Sequence, residues 1–504
     1  MKYISTRSKI APVTSAEAIL QGLAPDGGLF VPESIPKMKL EEIDELVNKP
    51  YVARAAMILK KFLTDYTEDE LFECAELAYN WFDISGKVPL SILVQDPNNP
   101  KFPIGIAELW HGPTYAFKDL ALQILPRLMS YALRKTGETK EILILVATSG
   151  DTGKAALAGF ADVPQTKIMV FYPNGGVSKI QRLQMVTQVG GNVNVTAVNG
   201  NFDDAQNGVK KIFNDEKIRE QLAASNIKLS SANSINWGRL VPQIVYYFSA
   251  YAEFIKANQL KLGDIVNVVV PTGNFGNILA AYYAKRMGLP VKRLVCASNV
   301  NNVLTEFFKT GVYNRNREFH KTISPSMDIL ISSNLERLLY HEAGHIDQVK
   351  RYMTQLNTTG KYRIETPLKK KLDKIFYADF ATEEQTSNMI KEMFSSFKYL
   401  VDPHTAVALK VLSNYRRDTR DMTPFIVAGT ASPFKFTRAV LTALGENVEG
   451  VDDLKQLDTL SLISKRPIPK NLNKLNGAEI LHTDVCEKNE MAERVLKFAA
   501  GKKN

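Results

Sequence analysis

The stretch Ile265-Val266-Asn267-Val268-Val269-Val270-Pro271-Thr272-Gly273-Asn274-Phe275-Gly276-Asn277-Ile278-Leu279 decides the fold. A nearly unbroken apolar, β-branched run passes through a glycine-punctuated loop into a helix that continues to Met287. A strand without polar alternation is buried on both faces, as in a parallel sheet covered by helices. The same texture recurs at Ile142–Ala147, Ile168–Phe171, Val193–Val198, Arg293–Ala297 and Phe425–Ala428, with amphipathic helices between. The reading is an α/β core with parallel sheets and flanking helices. In such folds ligands sit beyond the carboxyl ends of the strands, so the loops after these runs carry the function.

Four loops stand out. In Gly273-Asn274-Phe275-Gly276-Asn277 the glycines let backbone N–H groups converge on an anion, and the helix that follows adds a favourable partial charge. A phosphate is the natural guest. The loop Thr148-Ser149-Gly150-Asp151-Thr152-Gly153-Lys154-Ala155 is superficially like a nucleotide-binding P-loop. It fails that pattern, because Thr148 stands where the first glycine belongs and Ala155 replaces the metal-binding hydroxyl. What remains is a nest of hydroxyls and backbone donors suited to a carboxylate. After Phe425–Ala428 comes Gly429-Thr430-Ala431-Ser432-Pro433-Phe434-Lys435. A hydroxyl there could hydrogen-bond a pyridine nitrogen, or Thr430 or Ser432 could simply cap a helix. The last is His111-Gly112-Pro113-Thr114-Tyr115-Ala116-Phe117-Lys118-Asp119-Leu120, which sets a lysine beside an aromatic ring at a loop-to-helix junction. Desolvation there would lower the amine's pKa and suit it to form a Schiff base with a carbonyl cofactor.

Taken together and in this order, these motifs resemble the fold-type II pyridoxal-phosphate enzymes, whose fold is like that of the tryptophan synthase β subunit. The narrower resemblance is to the class II threonine synthase family. It rests on His111–Thr114 before Phe117-Lys118-Asp119, on Ser149–Gly153, and on Gly22-Leu23-Ala24-Pro25-Asp26-Gly27-Gly28-Leu29-Phe30-Val31-Pro32. Ser178–Arg182, Asn201–Ala205 and Asn233-Ser234-Ile235-Asn236-Trp237-Gly238-Arg239 are further fits. The resemblance implies pyridoxal 5'-phosphate carried by Lys118, with Phe117 beside it. It places Gly273, Asn274, Phe275, Gly276 and Asn277 around the cofactor phosphate and Thr430 at the ring nitrogen. Ser149, Asp151 and Thr152 would belong to the loop that holds substrate, Asp151 near the cofactor's phenolic oxygen. Lys154 and Arg239 are candidates for the substrate phosphate. The implied reaction converts O-phospho-L-homoserine and water to L-threonine and phosphate, with another fold-type II lyase, a dehydratase or phospho-lyase, as the alternative. The family often has Ala-His-Pro where this chain has Ala431-Ser432-Pro433, so no role for that histidine carries over. A binding protein that keeps the fold without turnover would most simply have lost Lys118.

At 504 residues the chain can hold roughly two to four domains. Residues 1–90 read as a mostly helical unit, 91–440 as the catalytic core with a helical insertion at about 303–400, and 441–504 as a helical extension with a frayed end. The net charge of +10 is spread along the chain and no nucleic-acid motif accompanies it, so a small anionic substrate is expected rather than nucleic acid. No apolar run reaches the roughly 18 residues that span a membrane. Three scattered cysteines, Cys74, Cys296 and Cys486, argue against a disulfide framework, and a cytoplasmic protein is the simplest reading. One motif is a decoy: His341-Glu342-Ala343-Gly344-His345 has the spacing of a zinc peptidase. A glycine inside that turn weakens the helix, and the expectation is a solvated helix without metal.

Overall fold

The computed structural model describes residues 1–80, 82, 90–94, 103–148 and 150–501. Two parallel-rich sheets form its centre. In the larger, six strands lie in the order Phe376–Phe380, Val291–Ser298, Val266–Pro271, Phe425–Gly429, Ile104–Glu108, Leu90–Val94. All its pairings are parallel except the last, where Leu90–Val94 runs antiparallel to Ile104–Glu108. The smaller sheet is wholly parallel, in the order Val485–Glu487, Val193–Asn199, Thr166–Pro173, Glu141–Ala147, Ile227–Ser230. Every apolar run picked out in the sequence is a strand of one of these sheets, within a residue or two at most ends. Their uniform burial is what a sheet covered on both faces requires: Val266–Pro271 and Phe425–Gly429 are buried at every residue.

Two segments expected as helical also contribute strands. Within 303–400 the helices Val303–Thr310, Leu335–Ala343, Ile346–Thr359, Thr366–Ile375 and Glu383–Phe397 are joined by Phe376–Phe380, which pairs in parallel with Val291–Ser298 as the edge of the larger sheet. Near the C-terminus Val485–Glu487 adds a parallel edge to the smaller sheet. Both strands are short, and the first is half-polar because an edge strand need not be buried on each face.

The N-terminal residues build a two-stranded antiparallel ribbon, Tyr3–Ser5 with Phe30–Pro32, and the helices Ser15–Gln21, Leu40–Glu45, Tyr51–Phe62 and Glu68–Tyr79. Thr14 and Glu17 cap the first of these reciprocally, and Gly22 (φ 71°) ends it. This region shares one continuous hydrophobic core with the larger sheet. Two buried tyrosines brace the catalytic half directly: Tyr66 donates to the Leu128 carbonyl (2.9 Å) and Tyr79 to the Leu120 carbonyl (2.7 Å), two residues beyond Lys118.

The helix Asp151–Phe160 packs against the short helix Asp119–Leu122 through Gly159. A Cβ added there would stand 2.0 Å from the Leu122 carbonyl oxygen. The two helices that open with Asp119 and Asp151 are thus held at glycine distance. Gly159→Ala should cost about 1–3 kcal/mol by forcing them apart; urea unfolding at unchanged m-value reads it, and a wild-type midpoint contradicts this packing.

Candidate active site

Three adjacent strands of the larger sheet, Val266–Pro271, Phe425–Gly429 and Ile104–Glu108, run parallel and end at one edge. The loop at Gly273, Thr430 and the segment leading to Lys118 therefore emerge side by side. They are stitched together by backbone hydrogen bonds: Leu109 N–H to Gly429 O (2.9 Å), Phe117 N–H to Thr430 O (2.8 Å) and Ser432 N–H to Tyr115 O (3.0 Å). Ser432 also accepts from the Phe434 amide and so takes the capping role. The Thr430 hydroxyl, by contrast, makes no hydrogen bond among the described residues, as a group facing a ligand would.

The lysine loop owes its shape to Asp119. A side chain on Gly112 would put its Cβ 2.4 Å from the Asp119 Cβ, so only glycine fits. The buried Asp119 carboxylate accepts from the Thr114 amide (2.8 Å) and hydroxyl (2.7 Å). Burial pushes this carboxyl up to about 6, against the pull of those Thr114 bonds. Lys118 stands just before it, and its Nζ donates to the Ser326 hydroxyl at 3.3 Å. Burial lowers the Lys118 amine to about 8; Asp151 opposes the shift, and Arg239 and Lys435 add to it.

The loop 273–277 turns its carbonyls away from the strand edge. Gly273 O accepts from the Ser332 hydroxyl (2.8 Å), and Asn274 O accepts from the amide (3.1 Å) and side chain (3.0 Å) of Asn334. Phe275 takes a left-handed conformation (φ 64°) to open the helix Gly276–Met287. The N–H groups of residues 273–277 donate to no acceptor among the described residues. Asn277 Oδ1 accepts from the hydroxyls of Tyr246 (2.6 Å) and Tyr247, while its buried Nδ2 has no partner among the described residues. Unspent donors in a glycine cradle at a helix start are the donor set a phosphate needs.

The smaller sheet closes the other side. Thr148 accepts from the amides of Gly150 (3.0 Å) and Gly153 (2.9 Å), which shapes the loop before Asp151. Ser149 lies outside the described residues. Thr152 follows in the first turn of the helix. Asp151 Oδ1 is 2.7 Å from the Nζ of the wholly buried Lys435, and accepts from Gln181 at 3.1 Å. Burial pushes the Asp151 carboxyl up, but Lys435, Lys118 and Gln181 outweigh it and hold it well below the usual range. Lys154 and Arg239 complete the cluster. Burial lowers Lys154 to about 8 and Arg239 to about 10. Arg239 is buried, spends one bond on the Ala232 carbonyl (2.9 Å), and has no carboxylate partner among the described residues. Its short helix is capped by Asn236, whose Nδ2 is anchored to Ile19 O (3.0 Å) of the N-terminal region.

Sequence reasoning missed Lys435, Ser326, and the pair Asp402 and His404. Lys435 was in view at the end of the Thr430 motif; what hid its role is that its partner Asp151 comes from the other sheet. The decoy at His341–His345 takes a different form from the solvated helix expected. The helix ends at Ala343, Gly344 (φ 78°) reverses the chain, and His345 lies in the link to the next helix. His341 instead bonds Tyr283 OH (2.7 Å) and burial pushes it down to about 3; Glu342 is buried and pairs with Arg286 at 2.7 Å. These are packing roles.

This geometry coincides with what the chain is similar to. Residues 2–79 match the family described as threonine synthase N terminus, 103–427 the pyridoxal-phosphate dependent enzymes, and 405–495 the threonine synthase C-terminal family. The chain belongs to the threonine synthase family. The threonine synthase of Saccharomyces cerevisiae is 37% identical over 91% of this chain and 93% of its own length. The PLP-bound threonine synthase structure from Brucella melitensis superposes with a TM-score of 0.83 at 35% identity, covering 99% of both chains. Human threonine synthase-like 1 is 40% identical over 88% of this chain, which spans only 60% of that longer protein. Among the described residues no helix is long and apolar enough to cross a membrane.

The lowered pKa of Lys118 has a direct consequence. A lysine attacks a carbonyl only when neutral, so if Lys118 is the lysine that takes pyridoxal phosphate, attachment to the apo chain should quicken with rising pH and level off above about 8. Stopped-flow absorbance of the attached cofactor reads the profile. A rise that continues to the pH of an ordinary lysine would contradict the burial of this amine.

Proposed function

We propose that the chain is a pyridoxal-phosphate enzyme that converts O-phospho-L-homoserine and water to L-threonine and phosphate. The observation that carries the reading is the meeting of a desolvated lysine, an unspent glycine cradle and a free hydroxyl on three adjacent strand ends. When bound, pyridoxal phosphate supplies an electron sink for negative charge developed on the substrate carbons. The chain's residues do the rest. The Lys118 amine is the point of attachment. With its amine free, Lys118 would move protons at the substrate's Cα and Cβ, which would let phosphate depart from Cγ before water adds at Cβ.

Gly273–Asn277 hold the cofactor phosphate through backbone amides, and Phe117 flanks the lysine. Thr430 offers its hydroxyl to the ring nitrogen; a neutral partner there does not hold that nitrogen protonated, which tempers the sink. Asp151, kept ionised by Lys435, serves the phenolic-oxygen side of the cofactor, and Thr152, next to it at the helix start, and Ser149 serve the substrate. Arg239 and Lys154 are the groups for the substrate phosphate: a buried guanidinium without a carboxylate is costly unless an anion arrives. Three buried, free cysteines suit a reducing compartment, and a cytoplasmic setting is part of the proposal.

Purified protein given phosphohomoserine should yield threonine and phosphate in equal amounts, and should leave threonine and phosphoserine largely unchanged. Lys118→Ala should lose both turnover and the visible absorbance of attached cofactor. Keto-acid formation from threonine or phosphoserine, with no threonine from phosphohomoserine, would instead assign a dehydratase or phospho-lyase.

A further inference from the structure

Behind the site, a second set of polar groups reaches both ends of the cofactor region from one carboxylate. Asp402 is buried at the start of the helix Pro403–Thr419. Its Oδ2 accepts from the Nδ1 of His404 at 2.6 Å, and its Oδ1 accepts from the Thr405 hydroxyl. Each of these residues passes the contact on. His404 Nε2 accepts the Ser326 amide at 3.2 Å, and the Ser326 hydroxyl accepts from Lys118 Nζ at 3.3 Å. Thr405 Oγ1 accepts the Thr430 amide at 3.3 Å.

Since a backbone N–H can only donate, His404 must keep Nε2 bare and carry its proton on Nδ1, against the carboxylate. The Ser326 peptide is confined from the other side as well. Its carbonyl oxygen lies where a side chain on Gly273 would stand, 2.6 Å from that position. Ser326 is thus wedged between the phosphate loop and the lysine, with His404 fixing its amide. An Asp at a helix start needs only its capping bonds. The histidine and threonine arms exceed that requirement, and both end on cofactor-facing residues.

We propose that Asp402, His404 and Thr405 form a positioning device that aims Ser326 at the Lys118 amine and Thr430 at the ring nitrogen, setting the two ends of the cofactor site in register. This rests on the assignment of Lys118 as the point of attachment. The bond accepted by Ser326 favours the protonated nitrogen. The charged groups acting on the Lys118 amine, Asp151, Arg239 and Lys435, are the same in every variant below, as is Asp402 beside His404.

The test uses holoenzyme without substrate and reads the pH midpoint of the visible absorbance of attached pyridoxal phosphate. Ser326→Ala and His404→Leu should each lower the midpoint by about one pH unit, the scale of one hydrogen bond to a charged nitrogen. His404→Gln, which returns an acceptor near the Nε2 position, should restore it. With phosphohomoserine, the first two should lower kcat by roughly tenfold or more and leave KM nearly unchanged, because the freed lysine is misaimed while substrate contacts remain. An unmoved midpoint in Ser326→Ala, or a moved one in Ser326→Ala with none in His404→Leu, overturns the proposal. If His404→Leu does not fold, Ser326→Ala and His404→Gln decide. The midpoint is read without substrate, so failure of the wild type to make threonine would sink the proposed reaction and leave this test standing.

Discussion

Everything in this site depends on three parallel strands ending at a common edge. Phe425–Gly429 lies between Val266–Pro271 and Ile104–Glu108, so the 273–277 loop, Thr430 and the segment leading to Lys118 emerge side by side, each one strand spacing from the next. Parallel pairing aligns carboxyl ends, and full burial of the strands leaves those ends as the open place for polar chemistry. The backbone bonds between 109–117 and 429–432 then turn a shared edge into a fixed geometry. The smaller sheet contributes through one contact above all, the buried ion pair of Asp151 with Lys435, which ties the loop after Glu141–Ala147 to the segment after Phe425–Gly429. Losing one partner of such a pair is costly because the other charge is left buried alone.

The electrostatics follow from that closure. Lys118, Lys154, Arg239 and Lys435 crowd a region whose buried carboxylates are Asp119 and Asp151. Burial lowers Lys118, Lys154 and Arg239, which makes their charged forms costly until an anion enters. Two phosphate groups, one on the cofactor and one on the proposed substrate, would meet that excess. The surface charge of the chain plays no part in this, since the relevant cations are inside.

Much of this was legible in the sequence because the relevant units are local. Strand, glycine loop and helix start occupy consecutive residues, so Gly273–Asn277, the Thr148 loop and the Lys118 loop could each be recognised alone. The Asp119 clamp explains the spelling around Lys118: glycine at 112 for space and threonine at 114 for two bonds. What could not be read is what chain order hides. Strand order within the sheets, the Lys435 partnership with Asp151, and the route from Asp402 through His404 to Ser326 join residues far apart in sequence. Phe376–Phe380 and Val485–Glu487 escaped notice because short, half-exposed edge strands lack the apolar run that marks the central ones. The HExxH spacing reads as a decoy because of Gly344, which does end the helix; what the sequence does not reveal is that His341 and Glu342 turn inward to Tyr283 and Arg286 rather than to solvent.

The central claim is that one amine among several buried ones carries the cofactor. Lys435 is buried close by and Lys154 is half-buried, its amine lowered to about 8 just as that of Lys118 is. Borohydride reduction of the holoenzyme, followed by peptide mapping of the pyridoxyl group, separates them. The account predicts one labelled peptide, modified at Lys118; a label on Lys154, Lys435 or any other lysine would contradict it.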